Sequence, residues 1–520
     1  YSYVERNFSG GGFIEHFFPE DFAVDHYCDT VSGDWSGNFM NWATMTRMDI
    51  IRKMIYGGRR YEDRDSHTLL ERAYLPNDGH AFAKYYNGDD LGQLTPFGGV
   101  TTDGNGGNRD GIDDLEEGIT ICNTTREINS GSSHNTNERP LARIVKGNYK
   151  LWAAGERWQC RMDKNATNGN NPEASGINAS ATEPNPGPNG LTSGEYGPDF
   201  ELHILACEPG FIHPSDDNEN CKKYTEGNYK PQGLIQEYGE DERIHFGAFT
   251  GTYGRHLRGG VLRKNVGPLD DEINFDDGTF KADPNSAVPS VGILRTLDKF
   301  RLYGYKYRDG TYSSGDDCGF REKGLDDVSC WSWGNPMSEI YAEAVRYFAG
   351  LTFTGDFDAN DNNFIGGLDE DDWIDPLSSD NFCAGLNIVM INSSLNTYDA
   401  DQAHVFDAVA AAGAEALTDA IGDFEGMTGN DYFIGAIDGV ASDELCTAKT
   451  VPGLGKVRGQ CPEGPTQQGS YLVAGMAHYA NTQDIREDLS GDQTITTYAV
   501  QLSTDVPRVR VPVDADNEIQ

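Results

Sequence analysis

The sequence predicts an α/β fold built on a mostly parallel sheet and carrying large, irregular, cystine-braced insertions. Three observations predict it. Strand-like hydrophobic runs alternate with helical ones through the second half of the chain, the order that builds parallel sheets. One run, 386–391 (LNIVMI), is almost continuously apolar, as strands buried on both faces are. Two long stretches, 89–140 and 162–198, are dominated by Gly, Asn, Asp and Thr and lack the apolar residues a core needs, so they read as surface insertions.

The elements follow in chain order. Residues 1–37 are aromatic and Gly-rich, without clear periodicity. A first helix covers 38–57: Met45, Met48, Ile51 and Ile55 fall at helical spacing and Gly57–Gly58 supplies the stop. Beyond the insertions, strand-like runs lie at 200–206, 244–249 and 261–263, and a helix at 289–302. A better-marked helix covers 336–349, with Asn335 as N-cap, Pro336 at the first helical position, Ile340, Ala344 and Phe348 as a stripe, and Gly350 as the end. After 386–391 come an Ala-rich helix at 402–422, a helix at 470–481 and a β-rich run at 494–502. The chain therefore divides into an N-terminal segment with the first core helix (1–88), Gly/Asn-rich insertions (89–198), the main α/β core (199–505) and a linker leaving that core (506–520). No solenoid or propeller period is evident.

Composition narrows the function. The 520 residues carry a net charge of −42 with only 37% apolar residues and 62 glycines. That balance repels nucleic acid and anionic membranes, which need clustered Lys and Arg, and favours divalent cations. Ten cysteines occur with no C-x-x-C, which speaks for an oxidising compartment rather than zinc or redox motifs. Cys207 with Cys221, Cys318 with Cys330 and Cys446 with Cys461 could each close a short loop, worth roughly 3 kcal/mol per bridge. Cys122 with Cys160 would close a longer one, leaving Cys28 for Cys383 in a long-range bridge; other pairings remain open. No run of apolar residues is long enough to span a membrane. The chain starts at Tyr1 without Met or signal peptide, the mark of a processed or partial chain.

The sharpest chemical signal is the acidic run 358–369. Asp358, Asn360, Asn362 and Asp369 fall at loop positions 1, 3, 5 and 12 of an EF-hand or dockerin-type calcium loop, with the Phe364 carbonyl at position 7 and Ile365 at position 8. A hard cation needs six to eight oxygens, and alternation along a tight loop can turn those oxygens inward. The competing reading is a solvated acidic turn. A second candidate is Asp103, Asn105, Asn108, Asp110 and Asp113, whose spacing resembles thrombospondin type 3 calcium loops; an unliganded Gly/Asp loop is its alternative. Catalytic constellations are missing: there is no H-E-x-x-H, G-x-S-x-G, P-loop or G-x-G-x-x-G. The eleven histidines include no pair at metal-ligand spacing, and His404 and His478 read as packing or surface residues.

Several segments together resemble the type IV pilus tip adhesin and biogenesis family, the PilC/PilY family. They are 36–58 (SGNFMNWATMTRMDIIRKMIYGG), 70–76 (LERAYLP), 259–265 (GGVLRKN), 341–350 (YAEAVRYFAG), 381–391 (NFCAGLNIVMI) and 491–500 (GDQTITTYAV), in the family's order. The resemblance implies a von Willebrand factor A-like, Rossmann-like domain in which 38–57 is the first helix, 244–250 a core strand, 386–391 the strand leading to the metal-site edge, and 494–502 a late strand. Such a domain binds at the carboxyl ends of its parallel strands. Two departures tell against an adhesion-type magnesium site. The opening Asp-x-Ser-x-Ser strand is absent, and the turn after 386–391 lacks the usual Asp-Gly pair, leaving Ser393, Ser394 and Asp399 to line one. The family's C-terminal β-propeller is not within these residues.

The resemblance also implies a non-catalytic role in adhesion and pilus assembly, outside a Gram-negative cell, at its surface or at the pilus tip. Minor pilins or the pilus tip, and a host or abiotic surface, would be its partners. Calcium would be the cofactor, since a loop ordered by a cation costs less to bind with. The rivals are a structural subunit or sheath component of an extracellular filament, marked by repeated self-contacts, and a calcium-dependent glycan hydrolase, which needs two carboxylates about 5–10 Å apart in a cleft.

Overall fold

The computed structural model describes residues 1–8, 13–23, 25–28, 34–76, 78–97, 118–127, 138–146, 148, 160, 196–212, 220–281, 291–306, 311–312, 334–357, 360–392, 395–502, 511–512 and 518–519. The chain forms two compact units: residues 1–245, 268–286 and 294–314 make the first, and residues 246–267, 287–293 and 315–520 the second.

The chain opens with β1 (Ser2–Asn7) and β2 (Phe13–Phe18), then α1 (Gly37–Thr44) and α2 (Arg47–Tyr56). Next come β3 (Arg60–Arg64), β4 (His67–Glu71), β5 (Phe82–Tyr86), the single turn α3 (Leu91–Leu94), β6 (Ile119–Glu127) and β7 (Glu138–Lys146). The first long stretch of this unit closes with β8 (Tyr196–Glu201), β9 (His203–Ala206), β10 (Cys221–Lys223), β11 (Tyr229–Pro231) and α4 (Leu234–Gly239). Two sheets organise it, in the orders β1-β2-β9-β4-β3 and β5-β6-β7-β8. β6 and β7 pair antiparallel without a break from Ile119↔Lys146 to Glu127↔Glu138.

The core of this unit is aromatic. Phe17, Trp35, Phe39, Phe97 and Phe200 are buried together with Ile119, Ile121, Ile144 and Leu202. Trp35 meets Phe200 at 5.1 Å and Phe97 at 5.6 Å, both edge to face, the arrangement the ring quadrupole favours. Ile119 and Ile121 alternate with Thr120 and Cys122 along β6, and both faces are buried, so part of the expected irregular insertion 89–140 is a regular core strand. The low apolar content of its flanks hid that alternation.

The expected single helix 38–57 is two helices. Thr46 interrupts it: its hydroxyl accepts from Asp49 N at 3.1 Å while the Asp49 carboxylate accepts from Thr46 N at 2.8 Å, a capping box that starts α2 afresh. Gly57 ends α2 at φ +89°, a left-handed C-cap.

The second unit begins with the antiparallel pair β12 (Phe246–Thr250) and β13 (Val261–Gly267). The chain then returns to the first unit for α5 (Ile293–Lys299), all but its first residue, and the hairpin β14 (Tyr305–Lys306) with β15 (Thr311–Tyr312). The second unit resumes with α6 (Met337–Phe348), β16 (Leu386–Asn392), α7 (Gly413–Phe424), β17 (Asp431–Ile434), β18 (Ala436–Ile437), β19 (Thr447–Thr450), β20 (Val457–Arg458), α8 (Leu472–Thr482) and β21 (Ile495–Gln501). β16 and β21 are parallel, in register from Leu386↔Ile495 to Asn392↔Gln501. Leu386, Ile495, Tyr341, Val345, Phe406, Leu472 and Met476 share one core, so α6 and α8 cover one face of this pair.

The mixed α/β class holds, but among the described residues no mostly parallel, von Willebrand factor A-like sheet is seen. The sheets are mostly small and antiparallel; β16–β21 is a two-stranded parallel pair, and β12 pairs with β13 instead of joining it. Alternation of strand and helix constrains order along the chain, not which edges meet, and the short link between β12 and β13 suits an antiparallel pair. The Ala-rich stretch 402–422 likewise splits into a 3-10 turn (Ala403–Ala408) and α7, divided by Gly413 at φ +75°. Three disulfides stand among the described residues: Cys122–Cys160, Cys207–Cys221 and Cys446–Cys461. Cys318 and Cys330 lie outside the described residues. The expected Cys28–Cys383 bridge is not formed: both are free thiols, Cys28 in the first unit and Cys383 in the second.

Candidate functional site

Two polar assemblies in the second unit hold the residues singled out from sequence. The first surrounds the acidic turn. Arg263 sits on β13 between Leu262 and Lys264 and is fully buried. Its guanidinium bonds the Asp361 carboxylate, donates to the Asp369 carbonyl at 2.9 Å and to Thr250 Oγ1 at 2.9 Å. Asp361 is buried too, and its other oxygen accepts from Tyr253 N at 2.8 Å. The turn is thus built around a charge pair with nearly every hydrogen-bonding position filled, the condition under which a buried ion pair is tolerated.

The predicted ligands are arranged around that pair as follows. Asn360 is exposed and left-handed, at φ 48°. Asn362 Oδ1 accepts from Gly367 N at 2.7 Å, and Asp369 Oδ1 from Glu370 N at 3.1 Å. The Phe364 ring stacks against Tyr253 at 6.2 Å. Asp358 lies outside the described residues, as do Asp103, Asn105, Asn108, Asp110 and Asp113. A cation at this turn would therefore compete with bonds that the loop already makes, and the buried carboxylate there is held by Arg263. Among the described residues no group of three or more His, Cys, Asp or Glu is placed to hold a metal.

The second assembly lies at the carboxyl end of β16. Asp399 is fully buried; it accepts from Ser338 Oγ at 2.6 Å and from Ser470 N at 2.7 Å. Burial raises its carboxyl above the usual range, against these donors. Asn335 does not cap α6: its side-chain amide donates to Asn392 Oδ1 at 2.9 Å and to the Leu395 carbonyl at 2.6 Å. Position for position, the turn is stapled to the starts of α6 and α8. Ser393 and Ser394 lie outside the described residues.

Beside it, Glu339 is fully buried and accepts from Gly259 N at 2.6 Å and Gln402 N at 2.9 Å. Burial, with Asp401 nearby, pushes its carboxyl up to about 9. Gly259 is required there: at φ +63°, an added Cβ would lie 2.0 Å from the Phe357 ring. Glu343, one turn further, is pushed up to about 7 by burial, against the pull of Arg346 at 2.8 Å. These groups fasten helices to loops. Ser338 Oγ donates to the Asp399 carboxylate and stands 3.3 Å from Ser470 Oγ, while His404 and His478 are exposed. Sequence reading passed over Arg263, Asp361, Ser338 and Glu339. Only the charged residue inside the apolar run at 261–263 could have flagged one of them.

Two family models match the chain: "PilY1 homolog, small alpha/beta domain" over residues 1–145 and "PilY1 homolog, second domain" over residues 246–480. The matches support the PilC/PilY family. Two relatives from Xylella fastidiosa (strain Temecula1 / ATCC 700964), both named type IV pilus biogenesis factor PilY1 homolog, align with most of the chain. One is 28% identical over 93% of this chain and 32% of its own length. The other is 22% identical over 92% of this chain and 35% of its own length. The chain thus spans about a third of the length of these PilY1 homologs. No solved structure matches it. Among the described residues no helix is long and apolar enough to cross a membrane.

Proposed function

We propose that this chain is part of an extracellular type IV pilus biogenesis factor that acts at the pilus tip, binding minor pilins and a surface rather than catalysing. The observation that carries the reading is the match, along 93% of the chain, to a relative named for pilus biogenesis. The disulfides of both units suit an oxidising compartment. The buried carboxylates fasten loops instead of facing a cleft, which favours a scaffold over a hydrolase. Calcium at 358–369 and at 103–113 belongs to the same proposal. Calorimetric titration of the chain, with Asp358→Ala as the control, would settle that part.

The main test is genetic. The segment is deleted in frame from the full-length protein in the bacterium that carries it. Surface pili are then counted by electron microscopy, and attachment to an abiotic surface is scored. Loss of pili supports a biogenesis role, and normal pili with lost attachment an adhesive one. Unchanged pilus number together with unchanged attachment would overturn the reading.

A further inference from the structure

An aromatic corner in the second unit lies outside everything described above. Trp373 and Tyr347 stand at 88° with ring centroids 5.6 Å apart, and Phe353 tilts against Trp373 at 6.3 Å and 59°. Phe249 backs both, edge-on to Trp373 at 5.7 Å. Tyr347 is fixed from behind, its hydroxyl accepting from Val266 N at 3.0 Å. Tyr347 itself is buried, and the front is formed by Phe353, 39% exposed, and the half-buried Trp373 beside Ile374, 66% exposed; these residues line a cavity of about 520 Å³.

Two carboxylates border this cavity, and they differ. Asp375 is spent on Arg486, which it grips through both oxygens at 2.8 and 3.0 Å. Asp372 is exposed, and among the described residues it makes no ion pair. Phe353 and Trp373, tilted at 59°, form a corner, not the flat platform on which a sugar stacks. A corner of π-faces beside a free carboxylate is the environment that attracts an organic cation, through the ring quadrupole and the charge together. The opening can admit a side chain reaching in from another surface. The chain's net charge of −42 would steer a basic partner toward it.

We infer that the Phe353–Trp373 corner, backed by the buried Tyr347 and bordered by Asp372, is a receptor for a basic side chain, lysine or arginine, presented by a partner protein. The inference is independent of the pilus reading and would survive its failure.

The test titrates the full chain with short acetylated, amidated Gly-Lys-Gly and Gly-Arg-Gly peptides and with the norleucine counterpart, followed by ligand-observed NMR. Choline is run alongside as a free or lipid-borne quaternary ammonium. The basic peptides should bind more tightly than norleucine, and Phe353→Ala should weaken them roughly two- to five-fold, as should Asp372→Asn. The effect of Asp372→Asn should shrink as salt is raised. Phe353 and Asp372 are exposed enough that both variants should fold, which a thermal melt verifies. Equal binding of norleucine would mean an apolar slot only. Binding of choline alone would point to a small-molecule site. Either result, no binding to the parent chain, or basic peptides indifferent to both substitutions overturns the inference.

Discussion

The two units solve the burial problem differently. In the first, sheets of four and five strands close over a set of interlocking rings, and cations are drawn inside to meet them: Arg60 lies 3.6 Å over the Phe280 ring, and Lys230, fully buried, bonds Asp63 at 3.1 Å. In the second, the parallel pair β16–β21 is held on one side only. Val389 on β16 remains 59% exposed and Tyr498 on β21 55%, while the helix-facing Leu386 and Ile495 are buried. A unit built from large sheets concentrates its stability in non-local ring contacts. A unit built from two-stranded pairs must fasten its helices to its turns, and here it does so with buried carboxylates, each given donors: Asp361, Asp399 and Glu339.

Four substitutions would break or sharpen that contrast. Trp35→Ala should cost about 3–5 kcal/mol through the cavity it leaves, and should lower the melting of the first unit while the second, followed by hydrogen exchange, keeps its protection. Loss of protection in both would show that they do not melt separately. Arg263→Met should cost about as much in the second unit, roughly 3–5 kcal/mol, because it leaves the Asp361 charge buried and alone. Adding Asp361→Leu should recover much of that in a denaturant titration. If the double substitution is no better than the single one, the pair is not what holds the turn.

Glu343 gives a pH-dependent test. The unfolded chain ionises this residue near 4.5, whereas the folded chain keeps its proton up to about 7. The folded state therefore binds the extra proton between those values. Stability is fullest below about 4.5 and is lost as pH rises through 7, by an amount on the order of 3 kcal/mol. Glu343→Gln should flatten that slope in melts run from pH 4.5 to 8; an unchanged slope assigns it to other groups. The smallest effect is expected at the open face of β16, where Val389→Thr should change stability by no more than about 0.5 kcal/mol. A larger loss would mean that this face is covered in the folded protein.

Much of the second unit's element order was legible. The helical stripe at 340, 344 and 348 and the apolar run at 386–391 correspond to α6 and β16, because long periodic segments carry their own signal. Pairing was not legible, since an apolar strand looks the same whether its neighbour runs parallel or antiparallel. The break inside 38–57 was written in Thr46 and Asp49, three residues apart, but lay beneath a stronger hydrophobic period. The acidic turn was read in the wrong phase for its interior: alternate positions 358, 360 and 362 drew attention, and the buried carboxylate is Asp361. What places it inside is Arg263, almost a hundred residues earlier, and no local pattern reports a partner at that distance.

The Arg263–Asp361 pair has a consequence for how this part of the chain is supplied. A positive charge carried on the polypeptide arrives with translation, in fixed stoichiometry, and cannot be chelated, leached or exchanged for a different ion. The Asp361 carboxylate therefore takes its counter-ion from a codon, and any change in that pairing over time must be made by mutation.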